Sequence, residues 1–238
     1  MPLVLELGHN LQHSPVNILC THLLTNPREG REQRSILEVS KLALFGIKYL
    51  PVTNPYWRGP FPPAREANDR GFTLKHGHYG CYMAHKGAIE QYLNDSIDAL
   101  LICECDCVFT LPTSEVVERI ERAYLACVEH DLLCFTFGPK HGGNTVTDMG
   151  DNMVTTTRLI ETHCYMIPIG AKERVLEIWN KPWDAADYIW TVYGWDRGKH
   201  RIGIFDDCIV AVQGDGESLI DGRVKNSETH FRWVVGNE

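Results

Sequence analysis

The feature that most limits what this chain can become is the apolar run Ala99-Leu-Leu-Ile-Cys103, which passes directly into Glu104-Cys-Asp106. A run this short and this apolar fits a strand covered on both faces, as in the interior of a sheet with helices packed on each side. The flanking segments have the other period. Cys81, Ala84, His85, Ala88, Ile89 and Tyr92 recur at helical spacing and predict a helix from Tyr79 to Leu93. Val117, Ile120 and Tyr124 mark another, which Thr113 or Ser114 can cap.

The same alternation runs through the chain. Asn17–Leu23 reads as a first strand. Asn26 then offers an N-cap, Pro27 suits the first helical position and Glu29 completes a capping box. Ile36, Val39, Leu42 and Ala43 continue that helix to a stop at Gly46, and Ile47–Val52 is the next strand. Further on, Asp131–Phe137, Thr162–Ile167, Arg201–Phe205 and Cys208–Gln213 read as strands. Gly170–Trp179 and Trp183–Tyr193 read as helices. This order predicts an α/β, Rossmann-like fold with a mostly parallel central sheet flanked by helices. Residues 53–73, with four prolines and two glycines, form a long connection of the kind that often carries function, and the polar, glycine-rich stretch 138–152 reads as a second loop. With no repeat or linker in view, one domain is expected over residues 16–222, between an N-terminal extension (1–15) and a C-terminal tail (223–238).

Composition removes several classes of function. A net charge of -8 and a pI near 5.8 disfavour a general polyanion-binding surface, though not a local phosphate site. No apolar run approaches the roughly 20 residues of a membrane span. The opening MPLVLELGHNLQHSPVN has neither a basic start nor a long apolar stretch, so a cytoplasmic protein without a signal peptide is expected. The nine cysteines are odd in number and include no CxxC pair, which predicts reduced thiols buried as small hydrophobes. Cys103, Cys105 and Cys107 fall on one strand face, but strand spacing predicts sulfurs too far apart to share one zinc ion.

On a strand, Glu104 and Asp106 point the same way. Two carboxylates at the C-terminal end of a central α/β strand stand where such sheets bind ligands. Paired hard oxygen donors there suit Mg²⁺ or Mn²⁺ held with a substrate diphosphate, where the ion offsets charge on a departing phosphate. An acid-x-acid triplet also ends many strands at the surface with no ligand at all.

The segment LKHGHYGCYMAHKGAIEQYLNDSIDALLICECDCVF resembles the signature of glycosyltransferase family 25, the lipopolysaccharide and collagen sugar transferases. Gly77, Gly80, Cys81 and His85 match the family's glycine-cysteine turn and its helix histidine. Glu104 and Asp106 match the outer residues of its Glu-Asp-Asp. Cys105 replaces the middle acid and Ala84 the helix serine. Tyr165, Gly170 and Ala171 in THCYMIPIGAKERVLE, Asp184 and Asp187 in PWDAADYIW, and Gln213, Ser218 and Ile220 near the end extend the resemblance, with Arg28, Arg31 and Arg34 fitting loosely after the first strand.

The resemblance implies a GT-A fold and a metal-dependent glycosyltransferase, moving a sugar from a nucleotide-diphosphate sugar such as a UDP-sugar to a hydroxyl of a glycan or other acceptor, as in lipopolysaccharide biosynthesis. Glu104 and Asp106 would hold Mn²⁺ or Mg²⁺, with His230 as a late third ligand. Arg28, Arg34, Gly77, Gly80 and His85 would meet the donor, although His85 also lies on an apolar stripe, where a core histidine belongs. Asp187 is the expected general base of an inverting transfer, Asp184 its alternative, and Asp206 or Asp207 a further one. Trp57, Arg58 and Arg65 are candidates for donor phosphate or acceptor sugar. Two other readings stay open. One is a nucleic-acid glycosyltransferase of viral type using Arg58, Arg65 and Arg70; the other is a catalytically silent carbohydrate-binding domain, which Cys105 favours.

Overall fold

The computed structural model describes residues 16–24, 32–53, 65–66, 73–74, 76–138, 145–157, 161–196, 198–214, 216–217 and 224–225. The first half of the chain holds β1 (Ile18–Leu24), α1 (Gln33–Ser40), β2 (Lys48–Thr53), the short strands β3 (Arg65–Glu66) and β4 (Thr73–Leu74), α2 (His76–Tyr92), β5 (Ala99–Glu104), β6 (Cys107–Phe109) and α3 (Thr113–Glu129). The second half holds β7 (Cys134–Thr136), β8 (Thr145–Gly150), β9 (Met153–Thr156), β10 (Cys164–Pro168), α4 (Lys172–Trp179), α5 (Ala186–Tyr193), β11 (Trp195–Asp196), β12 (Lys199–His200), β13 (Ile202–Phe205), β14 (Ala211–Gln213), β15 (Gly216–Glu217) and β16 (Val224–Lys225).

The apolar run becomes β5, and Ala99 through Cys103 are wholly buried. Its two faces feed two cores. Ala99, Leu101 and Cys103 pack with Ile18, Val39, Val116 and Ile120 on the α1 and α3 side. Leu100 and Ile102 pack with Ile89, Val175, Trp179 and Ile189 on the side of α2, α4 and α5. The result is a three-layer α/β/α arrangement. Burying both faces of a strand is what an unbroken apolar run provides, since strict alternation would leave one face polar.

The main sheet has eight strands in the order β2-β1-β5-β10-β7-β13-β9-β8. Pairs β1–β2, β1–β5 and β7–β13 are parallel; the four that involve β10 or β9 are antiparallel. The sheet is therefore mixed, which corrects the expectation of a mostly parallel one. The reason lies in the stretch after β7. Its glycine-rich part contains β8, which turns into β9 through Asp151 and Asn152, both at positive φ (53° and 58°). Positive φ at both central residues is the geometry of a type I′ hairpin turn, for which Asp and Asn are among the suitable residues. β10 then runs back between β5 and β7, with Cys164 opposite Cys103 and Tyr165 opposite both Ile102 and Thr136.

Other boundaries move by a few residues. α2 starts at His76, ahead of the expected Tyr79, and α3 is preceded by Pro112 with no side-chain cap from Thr113 or Ser114. Gly46, at φ +88°, ends the first helical segment as its position predicts. The capping box at Asn26–Glu29 and the 1–15 extension lie outside the described residues, and Val224–Lys225 is the described part of the tail. Gly203 in β13 has a packing role: a Cβ there would come within 2.5 Å of Phe135 Cδ2 and 2.7 Å of Leu132 Cδ1. Gly203→Ala is expected to cost about 1–3 kcal/mol in urea unfolding, because two buried side chains must move. A change below about 0.5 kcal/mol would show that the neighbours yield freely.

Candidate functional site

The site is built where β5 leaves the sheet. Glu104 ends β5 on the α2 side, and a turn at Cys105 and Asp106 leads into β6. Glu104 Oε1 accepts hydrogen bonds from His85 Nε2 (3.0 Å) and from Thr162 Oγ1, with the Cys81 thiol donating at 4.0 Å. Oε2 faces His163 Nδ1 at 3.6 Å. Burial alone would raise the Glu104 pKa, but His163 and His85 outweigh it and hold the carboxyl well below its usual range. Glu104 is thus an anion at neutral pH, locked on one oxygen by α2 and facing β10 with the other.

His85 is buried between Tyr165 and Trp179, with ring centroids 5.6 and 6.1 Å away. Its Nε2 faces the Glu104 carboxylate, and its Nδ1 lies 2.9 Å from the Tyr165 hydroxyl. The structure therefore places His85 behind Glu104, as part of its support. His163 is the residue that sequence reasoning missed. Its Nε2 lies 3.0 Å from Glu161 Oε2, and Glu104 is on its other side. Burial works to lower its pKa, yet Glu161 and Glu104 raise it well above the ordinary value. Its backbone carbonyl accepts the Glu104 N–H at 2.8 Å, so the antiparallel pairing of β10 with β5 delivers this side chain.

Asp106 is nearly buried and held from below by β14. Gln213 Nε2 donates to its Oδ2 (2.8 Å), and Gly214 N–H donates to its carbonyl (2.6 Å). A Cβ on Gly214 would come 3.0 Å from that carbonyl oxygen, so a glycine lets the two segments close. Glu104, Asp106 and His163 each offer a ligand atom within 4.8 Å of the others. The two carboxylates suit Mn²⁺ or Mg²⁺; the imidazole favours Mn²⁺ of the two and would have to give up its Nδ1 proton to join them. Cys81, His85 and Glu104 form an overlapping group. Burial first, then the charges of Glu104, Asp187 and Asp106, push the Cys81 thiol well up, which leaves it a poor ligand.

Asp187, in the first turn of α5, is near enough to Cys81 to act on its thiol, as Glu104 and Asp106 do. Asp184 is buried and accepts the Ala185 N–H at 2.8 Å just before the helix. Asp207 is drawn elsewhere, into a two-point pair with Arg119 of α3 at 3.0 and 3.1 Å. Gly77 and Gly80 lie inside the first turns of α2, and a Cβ on Gly80 would meet nothing within 4 Å. Arg34 is exposed near the start of α1. Arg28, Arg31, Trp57, Arg58, Arg70, Ser218, Ile220 and His230 lie outside the described residues, as does the side chain of Arg65.

Behind β5, His22 of β1 is fully buried, with Nδ1 3.0 Å from the Tyr49 hydroxyl and Nε2 3.0 Å from Ser35 Oγ. Burial, opposed by the Glu104 backbone, lowers its pKa to about 4 from 6.5. An unfolded chain takes up this proton below about pH 6.5, whereas the folded protein resists until about pH 4, so His22 costs no stability above the first value. As pH falls between the two, stability drops by about 3 kcal/mol in all. His22→Gln removes that slope. Urea unfolding of both proteins at about pH 7 and about pH 4.5 checks it, and equal slopes would contradict the assignment.

No family model matches the chain, and no curated protein matches it by sequence. Solved structures overlap it weakly. A glycosyltransferase involved in glycosylation of the major capsid of PBCV-1 overlaps at a TM-score of 0.47 and 15% identity, over 85% of this chain and 94% of that one. A protein of STIV overlaps at 0.44 and 10% identity, over 88% and 93%. The inositol-1-phosphate CTP transferase of T. maritima overlaps at 0.32 and 12% identity, over 88% and 73%. At such scores the likeness concerns the path of the chain alone. Family 25 remains a resemblance in the motifs. Among the described residues no helix is long and apolar enough to cross a membrane.

Proposed function

We propose that the chain is a metal-dependent glycosyltransferase that moves a sugar from a nucleotide-diphosphate sugar, a UDP-sugar by its motif resemblance, to a hydroxyl acceptor. The observation that carries this reading is the convergence of Glu104, Asp106 and His163 within 4.8 Å where β5 leaves the sheet. In this reading His163 is the third ligand; His230, the sequence candidate for that place, lies outside the described residues. When bound, the ion supplies positive charge to the diphosphate leaving group. The chain's own residues do the rest. His85 and Thr162 fix the Glu104 carboxylate, Gln213 fixes Asp106, and Asp187 takes the proton of the attacking acceptor hydroxyl, giving inversion.

A thermal-shift series tests this. UDP and Mn²⁺ together, at about 100 times their dissociation constant, contribute about 2.7 kcal/mol to stability. For a chain of this size that raises the melting temperature by roughly 5–10 °C. UDP without a divalent ion is expected to give a much smaller rise. No shift with both present, at any nucleotide concentration tried, would sink the reading.

A further inference from the structure

On the opposite face of β5 from Glu104, four of the nine cysteines converge in the apolar core. Cys20 comes from β1, Cys103 from β5, Cys107 from β6 and Cys164 from β10, and all are 0–1% exposed. Cys164 sits directly opposite Cys103 across the antiparallel pair, with Sγ atoms 3.6 Å apart. Cys20 Sγ is 3.9 Å from Cys103 Sγ. Cys107 reaches the group because the turn at 105–106 folds the chain back. The sulfurs of Cys103, Cys107 and Cys164 all lie within 4.8 Å of one another. This corrects the expectation that strand spacing keeps the cysteines apart, which assumed one straight strand and grouped the wrong set; Cys105 is not a member.

We propose that Cys103, Cys107 and Cys164, with Cys20 at their edge, bind one thiophilic d¹⁰ cation, Zn²⁺ or Cu⁺. A metal–sulfur bond of about 2.3 Å in a tetrahedral site separates the sulfurs by about 3.8 Å, and the two distances here bracket that spacing. Soft thiolates select Zn²⁺ or Cu⁺, whereas Mg²⁺ and Mn²⁺ prefer oxygen, so this site is chemically separate from the carboxylates on the other face. Each thiol that joins the metal does so as a thiolate and releases its proton to solvent. The bound ion ties the turn that presents Glu104 and Asp106 to β1 and β10, and so stiffens the neighbouring site.

The test uses the full chain, purified anaerobically with reductant from cells supplemented with zinc or copper, in excess Mg²⁺ to occupy oxygen sites. Elemental analysis is expected to find one Zn²⁺ or Cu⁺ per chain. That ion is expected to persist in Cys127→Ala, which removes a buried thiol outside the cluster, and in Glu104→Gln/Asp106→Asn. It should be lost in Cys103→Ser/Cys164→Ser. The wild-type chain refolded with Co²⁺ gives a readout that does not depend on any variant folding: a sulfur-to-cobalt charge-transfer band. Zinc and copper arms that both come out empty, with no such band, overturn the proposal. So does a Cys103–Cys164 disulfide found by mass spectrometry in the protein purified under reductant, or an ion lost with Glu104→Gln/Asp106→Asn but kept in Cys103→Ser/Cys164→Ser.

Discussion

Asp106→Asn is expected to reduce metal-dependent sugar transfer by on the order of 10²–10³-fold while the cooperative melting transition stays in place. The substitution keeps the shape of the side chain, and the amide oxygen of Asn can still accept the hydrogen bond that Gln213 Nε2 now gives to Oδ2. In the proposed reading it removes one of two anionic ligands, leaving Glu104 and His163 to hold a dication alone. Transfer measured with a nucleotide-sugar donor across a Mn²⁺ titration separates the outcomes. A loss that high Mn²⁺ partly restores fits weakened binding. Turnover equal to wild type would mean that Asp106 serves only the turn between β5 and β6.

Trp190→Ala is expected to cost about 3–5 kcal/mol of stability, enough to unfold a marginal domain. The indole is fully buried in α5, edge-on to Tyr165 (5.6 Å, 71°) and to Trp179 (5.9 Å, 74°). Those two rings in turn flank His85, so the cavity opens one layer behind the group that fixes Glu104. The same helix carries Asp187 in its first turn. If Asp187 is the base, as proposed, loss of packing and loss of base position arrive together. Trp190→Phe, which leaves a smaller void, is expected to recover most of the stability, and chemical denaturation of the two variants side by side checks the order. A Trp190→Ala protein within about 1 kcal/mol of wild type would show that the three aromatic layers collapse without cost.

Much of this architecture was legible in the linear order of residues. The apolar run at 99–103, the helical periods around His85 and Ile120, and the stop at Gly46 rest on local rules, and each is found near its expected place. What escaped was non-local. Nothing in the spacing of Thr162-His-Cys-Tyr announces that this strand runs antiparallel beside β5, and that placement alone carries His163 to Glu104. The Asp151-Asn152 turn was readable as a hairpin signal but was masked by the surrounding glycines and polar residues. The cysteine cluster escaped for the same reason as His163. Its members come from four strands that are neighbours in space and up to 144 residues apart in sequence, from Cys20 to Cys164.

The insertion of β10 between β5 and β7 also sets an order of assembly. β5 and β7 are successive strands of the main sheet along the chain, separated by β6 and α3, yet they share no ladder; β10, made some thirty residues after β7, is the wedge that joins their halves. A nascent chain that ends before Cys164 can pair β1, β2 and β5, but it has no partner strand to carry that block across to β7. The two blocks close only when the wedge arrives, and long-range closure of this kind slows folding. Denaturation of the finished protein is then expected to be a single event, because withdrawing that one strand parts the sheet and dismantles the Glu104–His163 pairing in the same step.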